Sequence, residues 1–332
     1  MTGPRAIEEA LVKAAVEATG LPASVFGLDA DVEDELGLRA ERRDALVASA
    51  AHRLGLDASR ARGRTLRELA RSLEGEVEKG PLAGKVALVT GSGHGLGKAL
   101  VRELASLGAS VVVNSFHSRA RGEETAEELR REGHDAIHVW GSVAHEGHLE
   151  ALFRAVEERF SVLDIFVNNA SNGIIGPLEH TTPEQWERSY KTNVVALHQG
   201  ALRAARLMTR GGHVASITTP AARKCTPFFG CQGAVKAAVE ALIRYLAVEL
   251  APRGIRVHAL APGPIYGELL DRYPGSERLV RLWEGLSSQH RLVTEAEVAR
   301  LIARSFTDPA LILSGSVVLA DSGVIASMDG YR

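Results

Sequence analysis

The densest chemistry in the chain lies in one short stretch, Thr90-Gly-Ser-Gly-His-Gly-Leu-Gly97. It follows the apolar run Val86-Ala-Leu-Val and precedes a helical pattern from Lys98 to Leu107. Gly91, Gly95 and Gly97 let the backbone turn sharply and come close to a ligand. A helix starting there offers unpaired amides and the positive end of its dipole to an anion. A glycine-rich loop alone is often only a turn, but a strand before it and a helix after it make a pyrophosphate cradle. Gly91, Ser92, His94, Gly95, Leu96 and Gly97 are thus the candidate contacts for a dinucleotide.

The next strand-like run, Ser110-Val-Val-Val, leads into Asn114-Ser-Phe-His-Ser-Arg-Ala-Arg121, with no carboxylate before Glu123. An acidic residue at this point would hold the ribose 2′-hydroxyl of NAD. Here Ser115 and Arg119 stand in that region, and an arginine can grip a 2′-phosphate with two hydrogen bonds. His94 could assist. The expected cofactor is therefore NADP(H), with these cations as merely solvated loop residues the bland alternative.

Short apolar runs alternating with helical patterns surround this turn. The runs are Val86–Val89, Ser110–Val113, Ala136–Trp140, Leu163–Val167, Gly212–Ile217, Ile255–Leu260 and Ser316–Leu319. Continuous apolar strands indicate burial on both faces, and their alternation with helices predicts a parallel sheet. The first 80 residues lack such runs. Helices are expected from Pro4 to about Thr19, from about Arg39 to Leu54 and from about Leu66 to Leu73, within a bundle of four short helices. The fold class is α/β: a Rossmann-like doubly wound parallel sheet preceded by a small all-α bundle. The boundaries are 1–75 for the helical domain, 76–84 for a linker containing Gly80, Pro81 and Gly84, and 85–332 for the α/β domain.

Composition narrows the function. A net charge of -2 argues against nucleic-acid binding, and no apolar segment approaches the length of a membrane span. The two cysteines, Cys225 and Cys231, make no disulfide framework and are expected as small buried residues of a cytoplasmic protein. His145-Glu-Gly-His148 lacks the spacing that puts two histidines on one helix face. No metal is expected.

Residues 82–325 resemble the short-chain dehydrogenase/reductase family. The likeness rests on the glycine turn, Asn168-Asn-Ala170, Asn193, Lys236 and Pro262-Gly263. It implies that Ser142, Val143, Asn169 and Ala170 line the cofactor site, and that Pro262, Gly263 and Ile265 lie against the nicotinamide. It further implies that Lys236 holds the nicotinamide ribose and tunes a catalytic Tyr, that Asn193 organises a water chain, and that Thr219 donates to a substrate carbonyl. Ordinary members place the Tyr four residues before the Lys, which is Gln232 here; the enoyl-acyl-carrier-protein reductases place it seven before, which is Phe229. The segment from Phe229 to Leu250, with Ser171 after Asn168-Asn-Ala170, resembles the enoyl type, with its phenol replaced. Tyr266 is expected as a lid residue.

Losing the acid matters unequally. Ketone reduction leaves an alkoxide that needs a proton at once, and a positioned acid is worth on the order of 10²–10⁴-fold. Enoyl-thioester reduction places charge on a thioester oxygen, where a hydrogen-bond donor suffices.

Residues 4–74 resemble an acyl carrier protein, on Val16-Glu-Ala-Thr-Gly-Leu-Pro22 and Leu28-Asp-Ala-Asp-Val-Glu-Asp-Glu-Leu-Gly-Leu38. Where carriers present Asp-Ser, this chain has Arg39-Ala40, so no phosphopantetheine can attach there. The resulting expectation is an NADPH-dependent reductase of acyl thioesters, enoyl or 3-oxo, in fatty-acid or polyketide biosynthesis. Its substrate would ride on a separate carrier protein or coenzyme A. The alternative is a catalytically silent scaffold that partners an active reductase. A homo-oligomer, dimer or tetramer, is expected through the helices Pro183–Met208 and Phe228–Pro252, or a hetero-oligomer with an active reductase.

Overall fold

Seven strands form one sheet: β1 (Val86–Val89), β2 (Ser110–Ser115), β3 (Ala136–Trp140), β4 (Ile165–Asn168), β5 (Gly212–Ile217), β6 (Ile255–Pro262) and β7 (Val317–Ala320). All neighbours are parallel, in the order β3-β2-β1-β4-β5-β6-β7. The order reverses between β1 and β4. In open α/β sheets the ligand crevice lies at that switch point, beyond the carboxyl ends of the strands. The loops following β1 and β4 therefore define its floor. The computed structural model describes residues 4–34, 37–61, 63–73, 80–308 and 313–327. It divides into two compact units, Met1–Lys79 and Gly80–Arg332.

The smaller unit contains α1 (Pro4–Thr19), α2 (Ala40–Leu54) and α3 (Leu66–Leu73). Ile7, Leu11, Ala14 and Ala15 recur at helical spacing and are buried with Leu46, Val47, Ala50, Leu66 and Leu69 in a separate core. No fourth α-helix occurs among the described residues of this unit; the connections there hold 3₁₀ turns at Ala23–Val25 and Ala58–Arg60. Gly55, at φ 67°, closes α2 in the left-handed conformation.

In the larger unit, strand alternation sends side chains to two cores. Leu88, Val112, Phe166 and Val214 pack on one face against α6 (Glu146–Phe160), α8 (Ala196–Leu207) and α9 (Gly230–Leu250). Ala87, Val89, Val111, Val113 and Val167 pack on the other against α4 (Gly95–Ser106), α5 (Arg119–Arg131) and α11 (Glu295–Arg304). The helix expected over Pro183–Met208 is interrupted. α7 (Pro183–Tyr190) passes through a π-helical turn, Lys191–Val195, before α8 begins. α10 (Ser276–Leu286) belongs to a third apolar cluster with Phe229, Leu270, Tyr273 and Trp283.

The segment 80–84, expected as linker, is part of the larger unit. Leu82 is buried and its N–H donates to Leu107 O at 3.0 Å, and a Cβ on Gly80 would stand 2.2 Å from that same oxygen. Residues 76–79 lie outside the described residues. Among the described residues, no helix is long and apolar enough to cross a membrane.

Candidate active site

The glycine turn is built as a cradle. Gly91 has φ +64°, and a Cβ there would fall 2.9 Å from Ala170 Cα. At Gly97 a Cβ would meet Gly91 O at 2.3 Å and Asn169 Nδ2 at 2.6 Å. Only glycine allows the first turn of α4 to close on this loop, and that turn's amides have no partners within the helix. Thr90 Oγ1 accepts the N–H groups of Asn169 and Ala170 at 3.0 Å each, tying the β4 loop to the β1 loop. Asn169 Nδ2 donates to Thr90 O at 2.9 Å and Gly91 O at 3.1 Å. Asn169 and Ala170 thus shape the cradle from behind. The arrangement fits a dinucleotide pyrophosphate.

His94 is the exposed N-cap of α4, without a side-chain capping bond, and Leu96 packs on the α4 core. Ser92 is buried; its N–H donates to Asn114 O at 2.7 Å and its hydroxyl to Val89 O at 2.7 Å. Ser115 is also buried, its hydroxyl donating to Ser118 O at 2.9 Å beside His138 Nε2. Arg119 is exposed at the start of α5. Ser142 lies after β3, where its N–H donates to His148 Nδ1 at 3.2 Å, and Val143 is buried beside it. His145 caps α6 by accepting the His148 N–H, so this histidine pair is structural. Gly263 must be glycine because a Cβ would sit 2.8 Å from Asp321 Cα; Ile265 bridges to Val293.

Two charged residues beside this cleft escaped the sequence reading. Arg121 pairs with Glu268 at 3.1 Å, joining α5 to the loop after β6. Glu295, the first residue of α11, places Oε1 3.4 Å from where a Gly95 Cβ would stand. Burial raises its carboxyl above the usual range, opposed by nearby His94 and reinforced by Glu268. Both relationships join segments far apart in the chain.

The catalytic candidates gather on α9 and the loops beside it. Lys236 is buried; its ammonium donates to Ile217 O at 2.7 Å, and burial lowers its pKa to about 7. Gln232, one turn earlier on the same helix face, is buried too. Its Oε1 accepts from Ser189 Oγ at 3.1 Å and its Nε2 donates to Ser171 Oγ at 2.6 Å. Asn193 sits in the π-turn, a feature that often marks functional sites. Its Nδ2 donates to Ser189 O at 2.9 Å and Asn172 Oδ1 at 3.3 Å. Asn193 Oδ1, Asn168 Oδ1 and Asn172 Nδ2 have no hydrogen-bond partner among the described residues. Thr219 caps the turn after β5, accepting the Ala221 N–H at 3.3 Å, which leaves its own proton to donate. Gly233 permits that turn to press on α9, since a Cβ there would stand 2.7 Å from Ala221 O.

Phe229 is placed differently. Its ring is buried against Tyr273, at 5.9 Å between centroids, in the apolar cluster that includes Trp283. Tyr266 is on the surface, its phenol donating to Glu284. Cys231 is buried and burial raises its thiol pKa, whereas Cys225 is exposed, contrary to expectation.

Comparison with known proteins agrees with this architecture. The family model described as enoyl-(acyl carrier protein) reductase matches residues 91–325. Versicolorin reductase 1 of Aspergillus parasiticus is 31% identical over 255 residues, covering 73% of this chain and 97% of its own. The 1-cyclohexenylcarbonyl-CoA reductase of Streptomyces collinus is 31% identical over 243 residues, covering 72% and 86%. Among solved structures, a Burkholderia cenocepacia short-chain dehydrogenase in complex with NADP superposes with TM-score 0.69 at 28% identity, covering 74% of this chain and 99% of its own. The angucycline C-6 ketoreductase LanV with bound NADP gives TM-score 0.69 at 29% identity, covering 74% and 98%. The chain belongs to the short-chain dehydrogenase/reductase family of oxidoreductases.

Proposed function

We propose that the larger unit binds NADPH and reduces the double bond of an α,β-unsaturated acyl thioester carried on coenzyme A or a separate carrier protein. The observation that carries this reading is the amide of Gln232, held in the polar network one helical turn before Lys236. An amide hydrogen-bonds but does not readily surrender a proton, so a reaction that develops charge on oxygen suits this site better than one that must protonate it. The enoyl-reductase description of the family model and the thioester substrate in the name of the Streptomyces collinus relative support the same class.

When bound, NADPH supplies the hydride. Thr219 donates a hydrogen bond to the thioester oxygen, Lys236 holds the nicotinamide ribose, and Asn193 orients solvent toward Lys236. The preference for NADPH is supported by the absence of a carboxylate between Asn114 and Arg121, by exposed Arg119 at the start of α5, and by NADP in the solved relatives. The smaller unit is proposed to be a carrier-shaped docking module without an attachment hydroxyl, since α2 begins at Ala40 behind Arg39. Exposed Tyr245 and Val248 on α9 support self-association. The same lack of a phenol supports a second reading, a silent scaffold beside an active reductase. NADPH consumption with crotonyl and acetoacetyl thioesters tests between them. Enoyl reduction faster than 3-oxo reduction is expected; tight NADPH binding without oxidation by either thioester favours the scaffold.

A further inference from the structure

We propose that Ser171 is a second oxyanion donor in this site and that Gln232 is the positioning residue that aims it. The inference rests on the enoyl-reductase reading and assigns the work of the missing phenol.

Ser171 follows β4, on the side of the sheet where the strand order reverses, one residue after Ala170. It is exposed, whereas Gln232, Ser189 and Asn193 behind it are buried. Ser171 Oγ accepts the Gln232 Nε2–H at 2.6 Å, so its own proton is free to point into the crevice. Accepting one hydrogen bond polarises a hydroxyl and strengthens the bond it donates. Gln232 cannot swing away easily, because Ser189 Oγ holds its carbonyl oxygen at 3.1 Å in the core. Of the nearby phenols, Tyr266 donates to Glu284, and the ring of Tyr273 packs against Phe229 and Trp283 in an apolar cluster.

In the reaction, hydride adds to Cβ with its electron pair, the alkene π pair moves to the Cα–carbonyl bond, and the carbonyl pair moves onto oxygen. Ser171 and Thr219 hydrogen-bond that oxygen. The oxygen pair then re-forms the carbonyl while the Cα–carbonyl π pair takes a proton from water, leaving hydroxide, the saturated thioester and NADP⁺. Neither hydroxyl is consumed.

The test compares Ser171→Ala, Ser171→Thr and Gln232→Leu with the natural protein. Three readouts are taken: kcat with crotonyl coenzyme A, NADPH affinity, and the carbonyl stretching frequency of crotonyl coenzyme A bound in the NADP⁺ complex. Ser171→Ala should lower kcat on the order of 10²-fold, the loss typical of one oxyanion donor. NADPH affinity and melting temperature should stay unchanged, and the bound carbonyl should move back toward its frequency in water. Ser171→Thr should recover most of the rate, and Gln232→Leu should weaken the carbonyl shift with Ser171 still present. An unchanged kcat and carbonyl frequency in Ser171→Ala would overturn the assignment while leaving the reductase reading intact. If the natural protein binds NADPH but reduces no thioester, the reductase reading fails. A carbonyl frequency that Ser171→Ala does not move would then overturn the donor role as well.

Discussion

Gln232 Nε2 and Ser171 Oγ stand 2.6 Å apart, joining α9 to the loop that follows β4. The resemblance places a phenol at Gln232 for ordinary family members and at Phe229 for the enoyl-reductase type; here Gln232 ends in an amide whose two polar atoms are both engaged. A neutral, hydrogen-bonded network thus lies one helical turn from buried Lys236. On the proposed function, this arrangement favours reactions that develop charge on oxygen over those that need an immediate proton. It leaves the cradle for the dinucleotide untouched.

The cradle gives the first prediction. Gly97→Ala puts a methyl within 2.3 Å of Gly91 O, a backbone atom that cannot move aside without opening the turn. NADPH binding should weaken by at least ~10-fold, about 1.4 kcal/mol. Calorimetry on the folded variant checks this, and wild-type affinity would refute it.

Glu295 sets a pH dependence. Its carboxyl lies beside Gly95, and its pKa is raised by burial. A negative charge there opposes a pyrophosphate, so NADPH should bind more tightly when Glu295 is protonated. Affinity should fall as pH rises through its elevated pKa. Glu295→Gln should tighten NADPH binding at neutral pH and flatten that profile. Parallel profiles for the two proteins would remove Glu295 from the site.

Lys236 sets another. Its folded pKa is lowered to about 7 by burial, from an ordinary value of 10.5. The unfolded chain binds more protons between these values, so this group makes stability rise with pH from about 7 toward 10.5. Lys236→Met should abolish that part of the slope in urea titrations, at the cost of NADPH affinity. An unchanged slope would mean the ammonium is solvated.

Phe229 lies in an apolar cluster with Leu270, Tyr273 and Trp283. Phe229→Tyr adds a hydroxyl among apolar side chains, which costs about 1–3 kcal/mol if it finds no partner. A lower melting temperature without faster reduction is expected. A variant that gains 3-oxo reduction would instead place this ring against the substrate.

Much of the fold was legible because buried parallel strands are continuous apolar runs; β1, β3 and β5 fall at their expected limits. The glycine turn was legible for the same local reason. The segment 80–84 misled because its glycines and proline suggest a linker, whereas the burial of Leu82 depends on Leu107. The break between α7 and α8 was hidden because Lys191–Val195 has no proline or glycine to signal a π-turn. Ser171 and Gln232 could not be paired by reading along the chain, nor could Arg121 with Glu268, since only the sheet topology brings such segments together. Asn193 and Lys236 were found by resemblance, and periodicity alone would have filed both as polar exceptions on buried helix faces.

The most direct measurement follows NADPH absorbance after mixing the protein with crotonyl coenzyme A and, separately, with acetoacetyl coenzyme A. NADPH oxidation with the enoyl thioester at a rate well above that with the 3-oxo thioester is the predicted result. Faster oxidation with the 3-oxo thioester, or none with either despite bound NADPH, would contradict it.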